Sequence, residues 1–444
     1  MVSMAACQPI VALELAVIGF LAFSPGALCF DIFSNSGLGV QQVLPGLSVE
    51  PSPSALGNVV QIPLQRRFIQ YNGRFYFAQV NVGSPEQSLE LIVDTGSTST
   101  WVYGTDYCQD QSNNSNYQCY DPNKSNTSTI IPAPPAFEAR YPHNKFKGLY
   151  VEDEIAVGTA KLGKDTRFGM VQTGDGIARG GLIGMGFDTA EFGPNNSFGY
   201  QYPDILDLFY NESVIDSRAF GLFLNNGSVP ENEARGSLVF GGYDKSKFTG
   251  PLVSFAITSP SDVRRVGAPL ASISATIAHI PVPIWTAAGD VDVNGTSIPA
   301  VFDSGDMMTA VPVPALAELI KQINGYRNGM LNKMQPGGKF DASMKCGHST
   351  ADILVHFTFA SFADTTITIN VPFSELVLPA PWGEDCLFAL QPKLKNPSKP
   401  YWFNFGSSVV DSMYLVVDYD TNTIQIAKAN YDGRETDIVP IRHR

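Results

Sequence analysis

Two short runs in the 444-residue chain offer the same chemistry, Asp94-Thr95-Gly96-Ser97 and Asp303-Ser304-Gly305-Asp306. An Asp-hydroxyl-Gly tripeptide is expected by chance roughly 0.3 times in a chain of this composition, so one copy means little and two in matching contexts mean more. Each follows apolar residues, Leu91-Ile92-Val93 and Ala300-Val301-Phe302, as a buried strand delivering a carboxylate to a turn requires. The glycine lets the backbone bend tightly and approach a neighbour. If the two halves pack face to face, the turns meet. Two carboxylates held that close cannot both stay ionised, so they share one proton. Such a pair is base and acid at once. The ionised member takes a proton from water as it attacks a peptide carbonyl, while the protonated one hydrogen-bonds the carbonyl oxygen and later helps protonate the leaving amine. This chemistry needs no metal, cofactor or covalent intermediate.

Bringing two such turns together takes strands. Phe75 to Val82 alternates, Gly83-Ser84-Pro85 turns, and Leu89 to Val93 runs back, which reads as strand, turn and strand. Helices are few: Pro203 to Tyr210, and Val313 to Ile323, where Pro314 suits the first helical position and Leu316, Leu319, Ile320 and Ile323 fall at helical spacing. The expected fold is therefore all-β. The echo between the halves points to an internal duplication, which explains the length. Composition agrees, since 40 Gly and 31 Pro suit many short strands joined by turns, and 44% hydrophobic with 16% charged residues excludes disorder. A balance of 29 Lys+Arg against 42 Asp+Glu, net −13, opposes nucleic-acid binding.

The chain ends carry processing signals. Residues 9 to 23 form an apolar stretch too short for a comfortable span, and Ala27-Leu28-Cys29 places small residues around a cleavage point, so residues 1–29 read as a signal peptide. No Lys or Arg precedes that stretch and Glu14 lies inside it; an uncleaved anchor is the rival, and the only route to a membrane. Residues 30–66 read as a leader, propeptide or linker. Arg66-Arg67 is either a dibasic processing site or part of a first strand. The polar end, 431–444, lacks a GPI-type tail. With the signal removed, Cys108, Cys119, Cys346 and Cys386 remain, and local pairing, Cys108-Cys119 and Cys346-Cys386, is the simplest of three connectivities. Metal binding is the rival there, but the spacings show no CxxC pattern. Sequons begin at Asn113, Asn123, Asn126, Asn195, Asn211, Asn226 and Asn294, usable on a secreted surface if they are not chance. A secreted, extracellular protein is expected, with vacuolar or cell-wall association as variants of the same route.

From about Tyr76 to Ala429 the chain resembles the pepsin-like aspartic proteases, of the fungal secreted type. Tyr76 to Gln87 is similar to the family's opening hairpin, and Trp101 stands seven residues after Asp94, where the family places its tryptophan. Tyr141 matches the tyrosine of the flap hairpin that closes over substrate. Gly181-Leu182-Ile183-Gly184 resembles the apolar segment beneath the first aspartate, Gly236 to Asp244 the end of the first lobe, and Phe405-Gly406 through Asp418 to Ala427 the last strands. The resemblance implies a bilobal fold with a cleft between two β-barrel-like lobes, 67–248 and 249–430, and an endopeptidase acting on polypeptides at acidic pH. Asp94 and Asp303 would be catalytic, and Ser97 would donate to the outer oxygen of Asp94. Thr95 and Ser304 would brace the turns through hydroxyl-backbone bonds, and Gly96 and Gly305 would allow them to meet. Cys346-Cys386 suits the second lobe's disulfide. A monomer without metal or cofactor is implied.

The chain also departs from that pattern. Asp306 stands where the family has Ser or Thr, and an ionised carboxylate there accepts and repels instead of donating. The expectation is that Asp306 works protonated, as a donor to the catalytic carboxylate, which would confine activity to acidic pH; the alternatives are a side chain turned to solvent and a dead site. In the flap, Tyr141 is followed by Pro142-His143-Asn144-Lys145-Phe146, bulkier than usual, with no N–H at Pro142. Asn404 interrupts the second apolar segment. Two further functions stay open at this point: a catalytically impaired pepsin-fold protein binding a protein or polysaccharide, and a structural cell-surface protein suggested by the clustered sequons.

Overall fold

The alternation before residue 94 becomes a hairpin in which strand Gly73–Val82 pairs antiparallel with Gln87–Asp94, so that Tyr76, Ala78 and Val80 are buried. Period-two alternation puts every second side chain on one face, and the buried face of this hairpin joins the main core. The structure is a computed structural model. It describes residues 58–69, 73–110, 117–133, 136–141, 144–176, 179–186, 203–225, 234–257, 265–287, 298–327, 331, 343–346, 352–360, 365–379, 385–394, 402–433 and 435–443. The signal peptide, residues 30–57 of the leader, and the expected flap-tip residues Pro142 and His143 lie outside the described residues.

Strands dominate. A fourteen-stranded sheet holds the first half and continues into strands of the second, while a six-stranded sheet and smaller ones build the rest of the second half. The two halves are thus joined by shared pairing: Ala219–Phe223 is flanked by Ala234–Phe240 and by Met413–Asp418, which in turn pairs with Thr423–Ala429 and through it with Phe248–Ala256. A cut at 248/249 divides the sequence but not the sheet. The physical reason is that each half would otherwise end in a strand edge with unpaired backbone groups, and pairing the two edges satisfies both.

Two further boundaries move. The leader boundary at residue 66 falls inside strand Val60–Ile69, which pairs with Gly73–Val82 on one side and Ala234–Phe240 on the other. Arg66 and Arg67 face Tyr76 and Phe75 in that register, and Arg67 Nε donates to Glu90 at 2.8 Å. Of the two readings of the dibasic pair, the structure displays the strand. The polar end is no loose tail either, since Ile438–Pro440 pairs with Gly242–Asp244.

The expected helices form at Ile205–Asn211, where the Asp204 side chain caps the amide of Asp207 at 2.8 Å, and at Val313–Tyr326, a turn longer than its apolar spacing indicated. Leu316, Leu319, Ile320 and Ile323 make its buried stripe. Disulfides join Cys108 to Cys119 and Cys346 to Cys386, with Cα atoms 6.2 and 5.1 Å apart. Of the sequons, Asn123, Asn126 and Asn211 are exposed, and Asn113, Asn195, Asn226 and Asn294 lie outside the described residues.

Candidate active site

Each candidate aspartate ends a buried strand that runs parallel to a second strand ending in glycine. Gln87–Asp94 lies beside Gly181–Gly184 with Asp94 opposite Gly184, and Pro299–Asp303 lies beside Phe403–Gly406 with Asp303 opposite Gly406. Parallel strands buried on both faces require near-continuous apolar runs, which Leu91-Ile92-Val93, Leu182-Ile183, Phe302, Phe403 and Phe405 supply. The same register places Leu182 two residues before Gly184 and Asn404 two residues before Gly406. Asn404 is the polar exception in this otherwise apolar framework.

The turns that follow these strands meet. A Cβ atom added to Gly96 would clash with the Asp303 carboxyl, and one added to Gly305 would clash with that of Asp94. Each glycine therefore leaves the space that the opposite aspartate occupies, which is why the tripeptide ends in glycine in both halves. Between the turns, Thr95 Oγ1 donates to the Phe302 carbonyl at 2.8 Å and accepts from the Ser304 amide at 3.0 Å. Ser304 Oγ in turn donates to the Val93 carbonyl at 2.7 Å and accepts from the Thr95 amide at 3.1 Å. Three polar groups from each side of the junction satisfy one another through these four bonds, so neither turn can shift alone.

The two carboxylates sit in unlike surroundings. Asp94 Oδ1 accepts the Gly96 amide at 2.8 Å, and its Oδ2 accepts the Ser97 hydroxyl in a short bond. Asp303 Oδ1 accepts the Gly305 amide at 3.0 Å, but its Oδ2 faces Asn404 Nδ2 at 3.2 Å. That same amide nitrogen is 2.9 Å from Asp306 Oδ2, while Asp306 Oδ1 accepts the Met308 amide at 2.9 Å. Burial, the charge of Asp94 and the charge of Asp306 push the Asp303 carboxyl well above the usual carboxylate range, and the Asn404 bond acts against them. Asp306 is expected to donate to the Asp303 carboxylate as a protonated acid; in the structure the Asn404 amide stands between the two carboxylates, and each Asp306 oxygen accepts a hydrogen bond, Oδ2 from Asn404 and Oδ1 from the Met308 amide.

Trp101 and Tyr141 also come together. Trp101 Nε1 donates to Tyr141 Oη at 2.9 Å, and the Trp101 ring stacks on Phe146 at 4.7 Å. Strand Phe137–Arg140 pairs with Lys145–Val157, and the Tyr141 amide bonds the Asn144 carbonyl at 2.8 Å across the hairpin end. Gly148 and Gly158 meet different needs there: a side chain at 148 would strike the Met170 carbonyl, and Gly158 adopts φ +58°.

Two neighbours of the site escaped sequence reasoning. Asn404 was visible only as an interruption; aligning its segment with Gly181–Gly184 by distance from the terminal glycine would have matched it with Leu182 and paired its oddity with that of Asp306. Arg265, whose Nη1 donates to the Gly96 carbonyl at 2.9 Å and whose guanidinium lies 5.6 Å from the Trp402 ring, had no local signal. Lys393 Nζ lies 5.3 Å from the same ring. Metal-type clustering among the described residues occurs at Asp418, Asp420 and His443, but Asp420 is already paired with Arg218 Nε at 2.7 Å.

Known proteins show the same construction. The family model for eukaryotic aspartyl proteases matches residues 75–429. Aspartic proteinase yapsin-3 of Saccharomyces cerevisiae is 26% identical over 370 residues, covering 81% of this chain and 67% of its own. The acid protease of Saccharomycopsis fibuligera is 27% identical over 359 residues, covering 80% and 81%, and secreted aspartic protease 8 of Candida albicans is 27% identical over 377 residues, covering 81% and 77%. The crystal structure of the Irpex lacteus aspartic proteinase superposes with a TM-score of 0.61 at 18% identity, over 85% of this chain and 100% of that one, so the fold is shared. With most of its length matched by the family model and its strands arranged as in a solved aspartic proteinase, the chain belongs to the eukaryotic aspartyl protease family and is an aspartic endopeptidase.

Proposed function

We propose that this endopeptidase works at acidic pH, through a water activated between Asp94 and Asp303. The observation that carries the reading is the meeting of two carboxylates from different halves, Asp94 buried and Asp303 half-buried, each lying where the other turn has a glycine. The cost of two adjacent charges puts one proton on the pair, and the raised Asp303 carboxyl is its favoured seat. Asp94, whose carboxylate accepts the Gly96 amide and the Ser97 hydroxyl, takes a proton from the water as its oxygen bonds the peptide carbonyl carbon. Asp303 gives its proton towards the carbonyl oxygen. Collapse of the tetrahedral intermediate breaks the C–N bond: the proton held by Asp94 passes to the leaving amine, and as the carbonyl re-forms its oxygen returns the proton to Asp303.

Tyr141, held by Trp101, forms the base of a flap over extended polypeptide. The aromatic group of Trp101, Tyr103, Phe146 and Tyr141 beneath that hairpin favours large apolar or aromatic residues flanking the cut. The chain acts as a secreted monomer, with sugar carried on exposed sequons such as Asn123, Asn126 and Asn211. A relative named for secretion supports that location, and no helix among the described residues is long and apolar enough to cross a membrane. Digestion of denatured globin at low pH should be pepstatin-sensitive and abolished by Asp303→Asn. Digestion that survives this substitution rejects the reading, and cleavage of a peptide library from pH 2 to 7 reports the residues preferred at the cut.

A further inference from the structure

The internal duplication supplies its own reference for the second turn. Counting three residues on from each aspartate gives Ser97 in the first half and Asp306 in the second; counting two back from each partner-strand glycine gives Leu182 and Asn404. The first half thus combines a hydroxyl with an apolar side chain, and the second combines a carboxylate with an amide. Either second-half residue alone would be unfavourable at its position. A carboxylate at 306 without a donor between would repel Asp303, and an amide at 404 without polar partners would be a half-buried polar group in a parallel apolar pair.

We propose that Asn404 is a positioning residue for Asp303, its amide donating one N–H to Asp303 and the other to Asp306, with Asp306 the anchor that aims it. The distances of 3.2 and 2.9 Å from Nδ2 to the two carboxylate oxygens fit a planar NH2 group using both hydrogens. The opposite amide orientation would set its oxygen against two carboxylates. Asp306 is itself fixed from behind, where Oδ1 accepts the Met308 amide and its own carbonyl accepts the Ser407 amide at 2.7 Å. Second-half Asn404 therefore does what first-half Ser97 does for Asp94, supplying the donor to the outer carboxylate oxygen.

The two members act on Asp303 with opposite sign. The Asn404 amide favours its ionised form, whereas the Asp306 charge favours its protonated form. Other charged groups facing the cluster are Asp94 from the opposite turn, Lys393 from the strand beside Thr309–Pro312, and Arg265, which reaches the Gly96 carbonyl. All of these are unchanged by substitution at 404 or 306, so the sign difference is readable.

The inference rests on the acid-endopeptidase reading and is tested by the basic limb of the pH profile of kcat/KM, which reports loss of the pair's last proton. Asn404→Leu should move that limb up by about one pH unit and lower kcat/KM by about tenfold, as expected for losing one hydrogen bond to a charged group. Asp306→Asn should move it down by about one unit. The double substitution Asp306→Ser with Asn404→Leu, which rebuilds the first-half pair, should recover at least a tenfold loss relative to Asn404→Leu alone. A merely structural Asn404 would change the melting temperature without opposed limb shifts or recovery. Should Asn404→Leu fail to fold, Asn404→Ala reads the same shift, and the pH dependence of affinity for a statine-type inhibitor reads it without turnover. Limbs that stay still or move the same way, or a double variant no better than the single, overturn the inference while cleavage by the wild type leaves the parent reading standing. A wild type that neither cleaves nor binds the inhibitor overturns both.

Discussion

The two aspartate turns are alike in backbone and unlike in charge. Thr95 and Ser304 exchange equivalent bonds, Gly96 and Gly305 make equivalent space, and each aspartate lies opposite a glycine in a parallel pair. Beyond that shell the first turn has one hydroxyl on its carboxylate, and the second has a second carboxylate bridged by an amide. Geometry must be symmetric for two carboxylates to meet at one point, whereas proton transfer requires that they differ. The backbone-directed bonds serve the first demand, and the side chains one residue further out serve the second.

The largest effect should come from removing either member of the pair. Asp94→Asn and Asp303→Asn are each expected to lower kcat/KM by at least about 10³-fold, since base and acid functions are both lost when the shared proton is lost. Retained activity in one of them, read with a peptide substrate at low pH, would show that the turns are not equal partners. Next is Ser97→Ala, which leaves the outer oxygen of Asp94 without its hydroxyl donor. A fall of roughly tenfold to a hundredfold in kcat/KM is expected from the value of a hydrogen bond to a charged group. An unchanged rate would mean that the outer-oxygen donor is dispensable in the first half, whatever it does in the second.

Symmetry of the junction predicts matched losses of stability. Thr95→Val and Ser304→Ala each orphan buried backbone partners in the other turn, and each should cost about 1–3 kcal/mol in urea unfolding. A large cost on one side only would locate the strength of the junction in one half. The smallest effect, a graded one, concerns pH. Burial pushes Asp204 and Asp411 up to about 7, and Asp411 remains there despite Arg74 and the Tyr76 hydroxyl, which donates to its Oδ2 at 2.7 Å. A folded-state value above the unfolded one means that stability is fully present below about pH 4 and is lost as pH rises through about 7. The melting temperature should therefore fall from pH 4 to pH 7.5, and Asp411→Asn, which mimics the protonated form, should flatten that fall. A melting temperature that rises over this interval contradicts the sign.

Much of this was legible locally. The Asp-hydroxyl-Gly repeat, its apolar approach and the glycines near Tyr141 specify their own turns and hairpin, because those conformations depend on neighbours in sequence. The pairing of Ile438–Pro440 was not legible, since its partners, Gly242–Asp244, lie in a distant part of the chain, and the choice between the two readings of Arg66-Arg67 came from their pairing with Tyr76 and Phe75. The place of Arg265 was hidden for the same reason: it touches a carbonyl 169 residues earlier.

By itself, then, the sequence determined which residues could form the reactive pair and that each would be delivered by a buried strand, because periodicity and turn chemistry are local. Tertiary structure alone decided the surroundings of Asp306: two carboxylates side by side repel in isolation, and parallel pairing is what carries the Asn404 amide between Asp306 and Asp303.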